Sequence, residues 1–461
     1  MDKKDYIIRT LLEQNRALQE QVKVLTAKVC ELERRLGLNS DNSSKPPSSD
    51  GLRKKSRSQS LRKKGEKKSG GQRGHKGSTL KQVTDPDHFE WYKVDRCSKC
   101  NLDLSCSPVT GLQRRQVFDI PEPRIEVTEH QAEIKICSCG QRCVANFPPG
   151  ISAPTQYGKR VKTLCVYLNY QQLIPEDRVS EFFSDVFNLG IASATVVATG
   201  ERFATSLSSW KQETEDCLAA SHVKNLDETG LRVQGKNQWL NVMSNEAATV
   251  YRVSPKRGEM FKSLVGTIVH DCFKSYYVLA AVIHALCNAH ILRELKALTE
   301  FEKESWASKM AALLRFANKN RDQRERISRI YDLIVDNGFR YHEAMEPLKK
   351  GKRGRRKRRI GHNLLLRLQN RKEDILRFLS NDQVPFTNNL AEQDLRMMKV
   401  KMKISGGFRT IKGAETFAAV RSFTSTCRKQ GVNIFQAIAQ AHAGILPSIV
   451  MPAYEALDQA V

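Results

Sequence analysis

Val223-Lys224-Asn225-Leu226-Asp227-Glu228-Thr229-Gly230 decides how this chain is read: a short apolar-rich run that ends in two carboxylates and a turn. Two more strand-like runs follow, at 238–243 and 249–253. Beyond Ser254-Pro255-Lys256-Arg257-Gly258, residues 259–264 are predicted to form a helix. A fourth strand-like run, 266–269, then ends in His270-Asp271.

Strand, strand, strand, helix, strand is the opening order of a ribonuclease-H-like α/β fold. By analogy with that fold, Asp227 and Asp271 are expected side by side on neighbouring strands. Adjacent carboxylates repel each other unless a divalent cation joins them. Hard oxygen ligands suit Mg2+ or Mn2+, and a pair of such ions serves displacement at phosphorus. A third carboxylate is then needed from elsewhere. The best candidate is Glu392, in Asn388-Asn389-Leu390-Ala391-Glu392-Gln393-Asp394-Leu395-Arg396. The asparagines are expected to begin a helix that carries Glu392 and Arg396 on one face. Glu228 and Asp394 are its nearest competitors. A metal-phosphohydrolase reading of His270-Asp271 lacks further histidines at suitable spacing.

The chain has 461 residues, 40% of them hydrophobic, enough for sizeable cores and against a wholly disordered chain. Its 76 Lys and Arg against 50 Asp and Glu leave +26, which points to a polyanion, most simply nucleic acid. That charge is concentrated. Residues 40–82 hold thirteen basic and three acidic residues amid Ser, Gly and Pro, and are expected to be a disordered tether. Residues 349–359 are basic at nine of eleven positions. Both runs suit phosphate without reading bases. The candidate DNA contacts are Lys54, Lys55, Lys63, Lys64, Arg73, Lys256, Arg257, Arg355, Arg356, Lys357, Arg358 and Arg396.

At the start, Ile8, Asn15, Val22, Val29 and Leu36 recur every seventh residue, with Leu11, Leu18, Leu25 and Leu32 three positions later. These are the a and d positions of a coiled coil, predicted to be a parallel dimer whose polar Asn15 sets the register. Lys28 can pair with Glu33 of a second copy.

Cys97-Ser98-Lys99-Cys100 and, about forty residues on, Cys137-Ser138-Cys139 are expected to hold structural Zn2+ on a small ribbon. Cys143 is an alternative ligand, because the second knuckle is one residue short. Residues 116–136 alternate apolar and polar like strands. From 158 to 221 the pattern is helical. Residues 178–187 and 192–203 form a possible helix-turn-helix with Ser193 as a cap, although ordinary helical packing is favoured because Arg202 is the main basic residue there. Of the 120 residues between Asp271 and Glu392, stretches 283–298 and 306–335 read as helices. No secretory signal or apolar span is evident, so a cytoplasmic chain is expected, with no membrane partner.

Taken together, these motifs resemble the transposases of the insertion-sequence-sixty-six family, a branch of the DDE recombinases. The resemblance rests on the zipper, Asn42-Ser43-Ser44-Lys45-Pro46-Pro47-Ser48-Ser49-Asp50, Gly70-Gly71-Gln72-Arg73-Gly74-His75-Lys76-Gly77 and the cysteines. It continues through Asp227-Glu228-Thr229-Gly230, Ser254-Pro255-Lys256-Arg257-Gly258, Cys287-Asn288-Ala289-His290 with Arg293, and Asn388-Asn389-Leu390-Ala391-Glu392. The compressed second knuckle departs from the pattern. The resemblance implies that Asp227, Asp271 and Glu392 are the acidic triad of a ribonuclease-H-like core interrupted by a helical insertion. It also implies action on terminal inverted repeats in a bacterial nucleoid, and two small accessory proteins of the same element.

The expected layout is multidomain: a zipper at 1–39, a basic linker at 40–84, a zinc ribbon at 85–150 and a helical segment at 151–221. The catalytic core begins at 222–298, is interrupted by a helical insertion at 299–384 and resumes at 385–408 with the glutamate helix. A helical segment, 409–461, closes the chain. The alternatives to a DNA transposase that cleaves and joins strands are a DNA-binding protein without strand transfer, such as a decayed or repurposed copy, and a metal-dependent nuclease that cuts without joining.

Overall fold

The computed structural model describes residues 3–39, 42–43, 80–259, 261, 263–348 and 357–451. Lys54, Lys55, Lys63, Lys64, Arg73, Arg355 and Arg356 lie outside the described residues, as does most of the linker.

The chain opens with α1 (Lys3–Gly37), a single 35-residue helix uninterrupted by Pro or by any Gly before Gly37. Its a and d residues, from Ile8 to Leu36, are more than half exposed along a continuous apolar stripe. At its foot Arg34 approaches Glu302, and the Asn42 amide donates to Glu300 at 3.3 Å.

Residues 80–150 are largely irregular apart from a short antiparallel hairpin, β1 (Ile134–Ile136) with β2 (Arg142–Val144). The strands expected across 116–136 are thus reduced to β1. Val117, Ile120 and Val127 are almost fully exposed, and a strand with neither a partner nor a surface to cover is not held.

Helices α2 (Lys159–Val166), α3 (Glu176–Phe187), α4 (Ser193–Ser206) and α5 (Ser208–Ala220) lead into the sheet. Ser193 does not cap α4: Ala192 is the cap, and the Ser193 hydroxyl meets that of Ser180 at 3.4 Å. The inward face of α4 packs into the interior, with Tyr170 so close to Gly200 that a Cβ there would overlap its ring.

The sheet holds β3 (Val223–Val233), β4 (Lys236–Ser244), β5 (Thr249–Ser254), β6 (Thr267–His270) and β7 (Ile283–Leu286), in the order β5-β4-β3-β6-β7. The first three pair antiparallel, and β3, β6 and β7 run parallel. β3 does not turn at Gly230 but runs on to Val233. The hairpin turn is Gln234-Gly235, both at positive φ, the conformation that matches strand twist in a two-residue loop.

Two sequence expectations fail here. The described residues of 259–264 form no helix: Gly258, Ser263 and Gly266 all have positive φ, which breaks helical geometry, while Phe261 and Leu264 plug beneath the sheet. Residues 283–286 are strand β7, not the start of a helix. A four-residue apolar run cannot be assigned by periodicity, and here the open edge of β6 decides it.

Beyond the sheet lie α6 (Asn288–Ala297), α7 (Ser305–Ala317), α8 (Arg324–Glu343), α9 (Ile360–Asn370) and α10 (Lys372–Leu376), which share one apolar core with Val223, Val269 and Ala285. Then α11 (Asn389–Ser405), α12 (Ile411–Lys429) and α13 (Ile434–Ala441) pack with residues of the α2–α5 segment, including Val166, Phe203 and Trp210, over Leu231, Val242 and Tyr251. The segments at 151–221 and 409–441 therefore cover one sheet face together. Side chains alternate along β3, so Asp227 shares a face with Val223 and Leu231, between these two cores, while Leu226 faces the opposite one.

Candidate active site

The register dictates the first two acids. Asn225 of β3 lies opposite Val269 of β6, so two residues further on Asp227 and Asp271 stand level at the carboxyl end of the parallel β3–β6 pairing, although β3 itself runs on to Val233. In open α/β sheets this is where ligands bind. By the same alternation His270 faces away. It stacks on Tyr276, approaches His284 Nδ1 at 3.0 Å, and burial drives its pKa down to about 3. A phosphohydrolase pairing of His270 with Asp271 thus has no support.

Glu392 comes from the first turn of α11, which packs across β3 and β4. Its delivery depends on Asn388. The Asn388 amide donates to Leu226 O at 2.8 Å, its Oδ1 accepts from Asn225 at 2.8 Å, and its backbone N–H donates to Cys287 Sγ at 3.1 Å. One buried residue thereby ties α11 to the strand that bears Asp227 through its side chain and to the start of α6 through its backbone. Asn388→Ala would leave a buried amide and a buried carbonyl unpaired, a loss of about 2–4 kcal/mol. Thermal unfolding of the variant is expected to show it, together with weaker cleavage.

Burial pushes Asp227 up to about 8, and the charges of Asp271, Glu392 and Glu228 add to the rise, against a hydrogen bond from Glu228 N–H to Asp227 Oδ1. Asp271 is raised by burial and by Glu228. Glu392 is raised by burial and by Asp271, opposed by Arg293 and Arg396. The three acids therefore share one field although two of them are 165 residues apart in sequence. Glu392 Oε1 is buried without a hydrogen-bond partner. Partly unsatisfied, mutually repelling carboxylates are a donor set that fits hard divalent cations.

The competitors are engaged elsewhere. Glu228 binds Arg257 Nε at 2.6 Å and the Gly258 N–H at 3.0 Å. Asp394 pairs with Lys429 at 2.9 Å and accepts from Thr249 at 2.9 Å. Arg257 lies over Phe273 and Trp239, near Asp271, while Lys256 and Arg396 are exposed. Lys357 and Arg358 are exposed as well.

Sequence reasoning assigned no role to four residues at this site. Arg293 Nη2 reaches Glu392 Oε2 at 3.8 Å and His290 Nδ1 lies 3.9 Å from Glu392 Oε1, with Cys287 adjoining. Burial lowers His290 to about 4, so it is neutral and its contact with Glu392 is not an ion pair. Lys399 lies in the field of Asp227. Its signal was legible: seven residues after Glu392 is two helical turns, hence the same face.

The cysteines are arranged by pairs. Cys97 is hydrogen-bonded to Cys100 and Cys137 to Cys139, and in each case backbone N–H groups hold the thiol below its ordinary pKa. The structure does not gather the two knuckles: among the described residues, no set of three or more thiols converges there, and Cys143 is exposed beside them.

Comparison with known proteins gives two family matches. Residues 4–81 match a family of unknown function, DUF6444, over α1 and the basic segment that follows it. An uncharacterized protein of Sinorhizobium fredii, y4jO, is 35% identical over 72 residues, which are 16% of this chain and 22% of that protein. Residues 154–416 match the model described as Transposase IS66 family. That match spans more than half of the chain, from α2 into α12, with Asp227, Asp271 and Glu392 inside it, and on that extent the chain belongs to the IS66 transposase family.

Proposed function

We propose that the protein is a DDE-type DNA transposase that binds the terminal inverted repeats of an insertion sequence and performs metal-dependent strand cleavage and strand transfer. The observation that carries this is the register that sets Asp227 level with Asp271, with α11 packing across the same strand and bringing Glu392 into their field. The sheet order β5-β4-β3-β6-β7, with a three-stranded antiparallel meander beside parallel strands, supports a ribonuclease-H-like reading of the core.

In this mechanism Asp227, Asp271 and Glu392 would hold two Mg2+ (or Mn2+) ions, whose chemistry when bound would be to lower the pKa of the attacking oxygen and stabilise the leaving one. Lys399 balances the charge of Asp227 and, with Lys256, Arg257 and Arg396, steadies phosphate oxygens. Water attacks the phosphodiester at the element boundary and frees a 3′-OH. That hydroxyl attacks target DNA in a second in-line displacement, with no covalent enzyme intermediate. The basic linker and the run at 349–359 neutralise backbone phosphates. Cys97, Cys100, Cys137 and Cys139 (or Cys143) would hold structural Zn2+; the lowered Cys97 and Cys137 thiols, each hydrogen-bonded within its own knuckle, support this. The exposed stripe of α1 supports a homodimer or larger assembly.

Incubating the protein and Mg2+ with labelled element ends and a plasmid tests the reading. Joined product is expected. Cutting without joining would replace the proposal with a nuclease, and binding alone with a DNA-binding protein that lacks strand transfer.

A further inference from the structure

Where β7 ends, the chain passes through Cys287 into α6, and three side chains of different chemistry meet. The ligand atoms of Cys287, His290 and Glu392 all lie within 4.8 Å of one another, and among the described residues no other set of three or more does so. His290 Nδ1 and Glu392 Oε1 are both buried and neither has a hydrogen-bond partner. Cys287 caps the N-terminus of α6, and its sulfur accepts the Asn388 N–H at 3.1 Å. Burial pushes the Cys287 thiol up to about 11, against the amide donors around it, so a metal would have to displace its proton.

One thiolate, one neutral imidazole and one carboxylate are not a magnesium site: a hard cation has no use for sulfur. They suit Zn2+, which takes three protein ligands and leaves a fourth position open. We propose that Cys287, His290 and Glu392 form a second metal site, for Zn2+ or a like thiophilic divalent cation, that withdraws Glu392 from the acidic triad. Binding releases the thiol proton to solvent and leaves the carboxylate with the softer metal, so zinc is an inhibitor that acts through the third acid. The binding stands on the geometry alone; the inhibition rests on the transposase reading.

The test uses the full chain. Zinc retained after desalting, and thiolate-to-metal absorption with Co2+ as probe, are compared for wild type, Cys287→Ser and His290→Gln. His290 is partly exposed, so its variant keeps the test valid if the buried Cys287→Ser fails to fold. Wild type is expected to hold one metal equivalent more than either variant, above that of the N-terminal knuckles, and equal content in all three would overturn the site. In the Mg2+ cleavage assay, added Zn2+ is expected to inhibit wild type several-fold more than His290→Gln. Equal inhibition, or none, would overturn the competition for Glu392. Extra metal in a protein that never cleaves DNA would support the site and count against the transposase reading instead.

Discussion

Asp227→Asn is expected to lower Mg2+-dependent strand cleavage by about 10³-fold or more, to leave binding of labelled element ends nearly unchanged, and to raise the melting temperature of the metal-free protein. Asp227→Ala should abolish cleavage equally. The stability effect follows from the sign of the pKa shift. Asp227 titrates at about 8 in the fold, against about 3.9 in an unfolded chain. Between those values the native state holds a proton that the unfolded state has lost. Stability of the metal-free protein therefore falls as pH rises from about 4 to about 8, and the penalty is absent below that window because both states are then protonated. Asp271 and Glu392 are shifted in the same direction.

Asparagine removes the titration yet can still accept the Glu228 N–H, so a gain on the order of 2 kcal/mol at pH 7.5 is expected. The same competition makes Mg2+ affinity climb with pH toward about 8, since the cation must displace the proton. Differential scanning calorimetry from pH 5 to pH 8.5, with and without Mg2+, measures both slopes. An unchanged melting temperature in Asp227→Asn, or cleavage at wild-type rate, would remove Asp227 from the centre.

What the sequence carried to this site, and what it did not, divides along physical lines. The runs that became β4, β5 and β6 were legible as short apolar, β-branched-rich runs bounded by turn signals, the pattern of strands largely covered on both faces. β3 was legible in its apolar start but not in its length: Asp227 and Glu228 look like a turn, and only the nine-residue pairing with β4 shows that the strand passes through them. That continuation matters, because it puts Asp227 and Glu228 on opposite faces, one toward Glu392 and the other toward Arg257. Local pattern cannot make that distinction, nor can it separate Glu392 from Asp394, which are two residues apart on one helix. Their difference is tertiary, since Lys429 and Thr249 claim the second and leave the first. Residues 259–264 show the opposite case, in which apolar content suggested a helix and backbone dihedrals at Gly258, Ser263 and Gly266 refused it. The Cys287 cluster was quoted as a motif without a chemical role, because Cys287 and His290 lie about a hundred residues from Glu392 in sequence and meet it only in the tertiary fold.

Deleting residues 1–39 is expected to give a monomer that still folds but loses paired-end DNA binding. The argument begins with the stripe on α1. Ile8, Leu11, Leu18, Val22, Leu25, Val29, Leu32 and Leu36 are 52–71% exposed. Continuous apolar surface of this kind marks an interface. Burying each such side chain against a second copy contributes roughly 1.5–3 kcal/mol, whereas at its foot the helix meets its own chain through Arg34 and Gly37, with Asn42 just beyond it. Removing it therefore takes little from the rest of the fold and nearly everything from the dimer. A dimer holds two ends at once, so the second binding event draws on a high effective concentration worth about 10²–10⁴ in avidity. The truncated protein should bind a single end with near-normal affinity once linker contacts are matched, and paired ends weaker by that factor. Sedimentation velocity reads the mass, and mobility shift with one-end and two-end substrates reads the avidity. Substituting Asn15→Val in the intact chain sharpens the test: it should stabilise the assembly while loosening its register and copy number. A truncated chain that remains dimeric would move the interface away from α1.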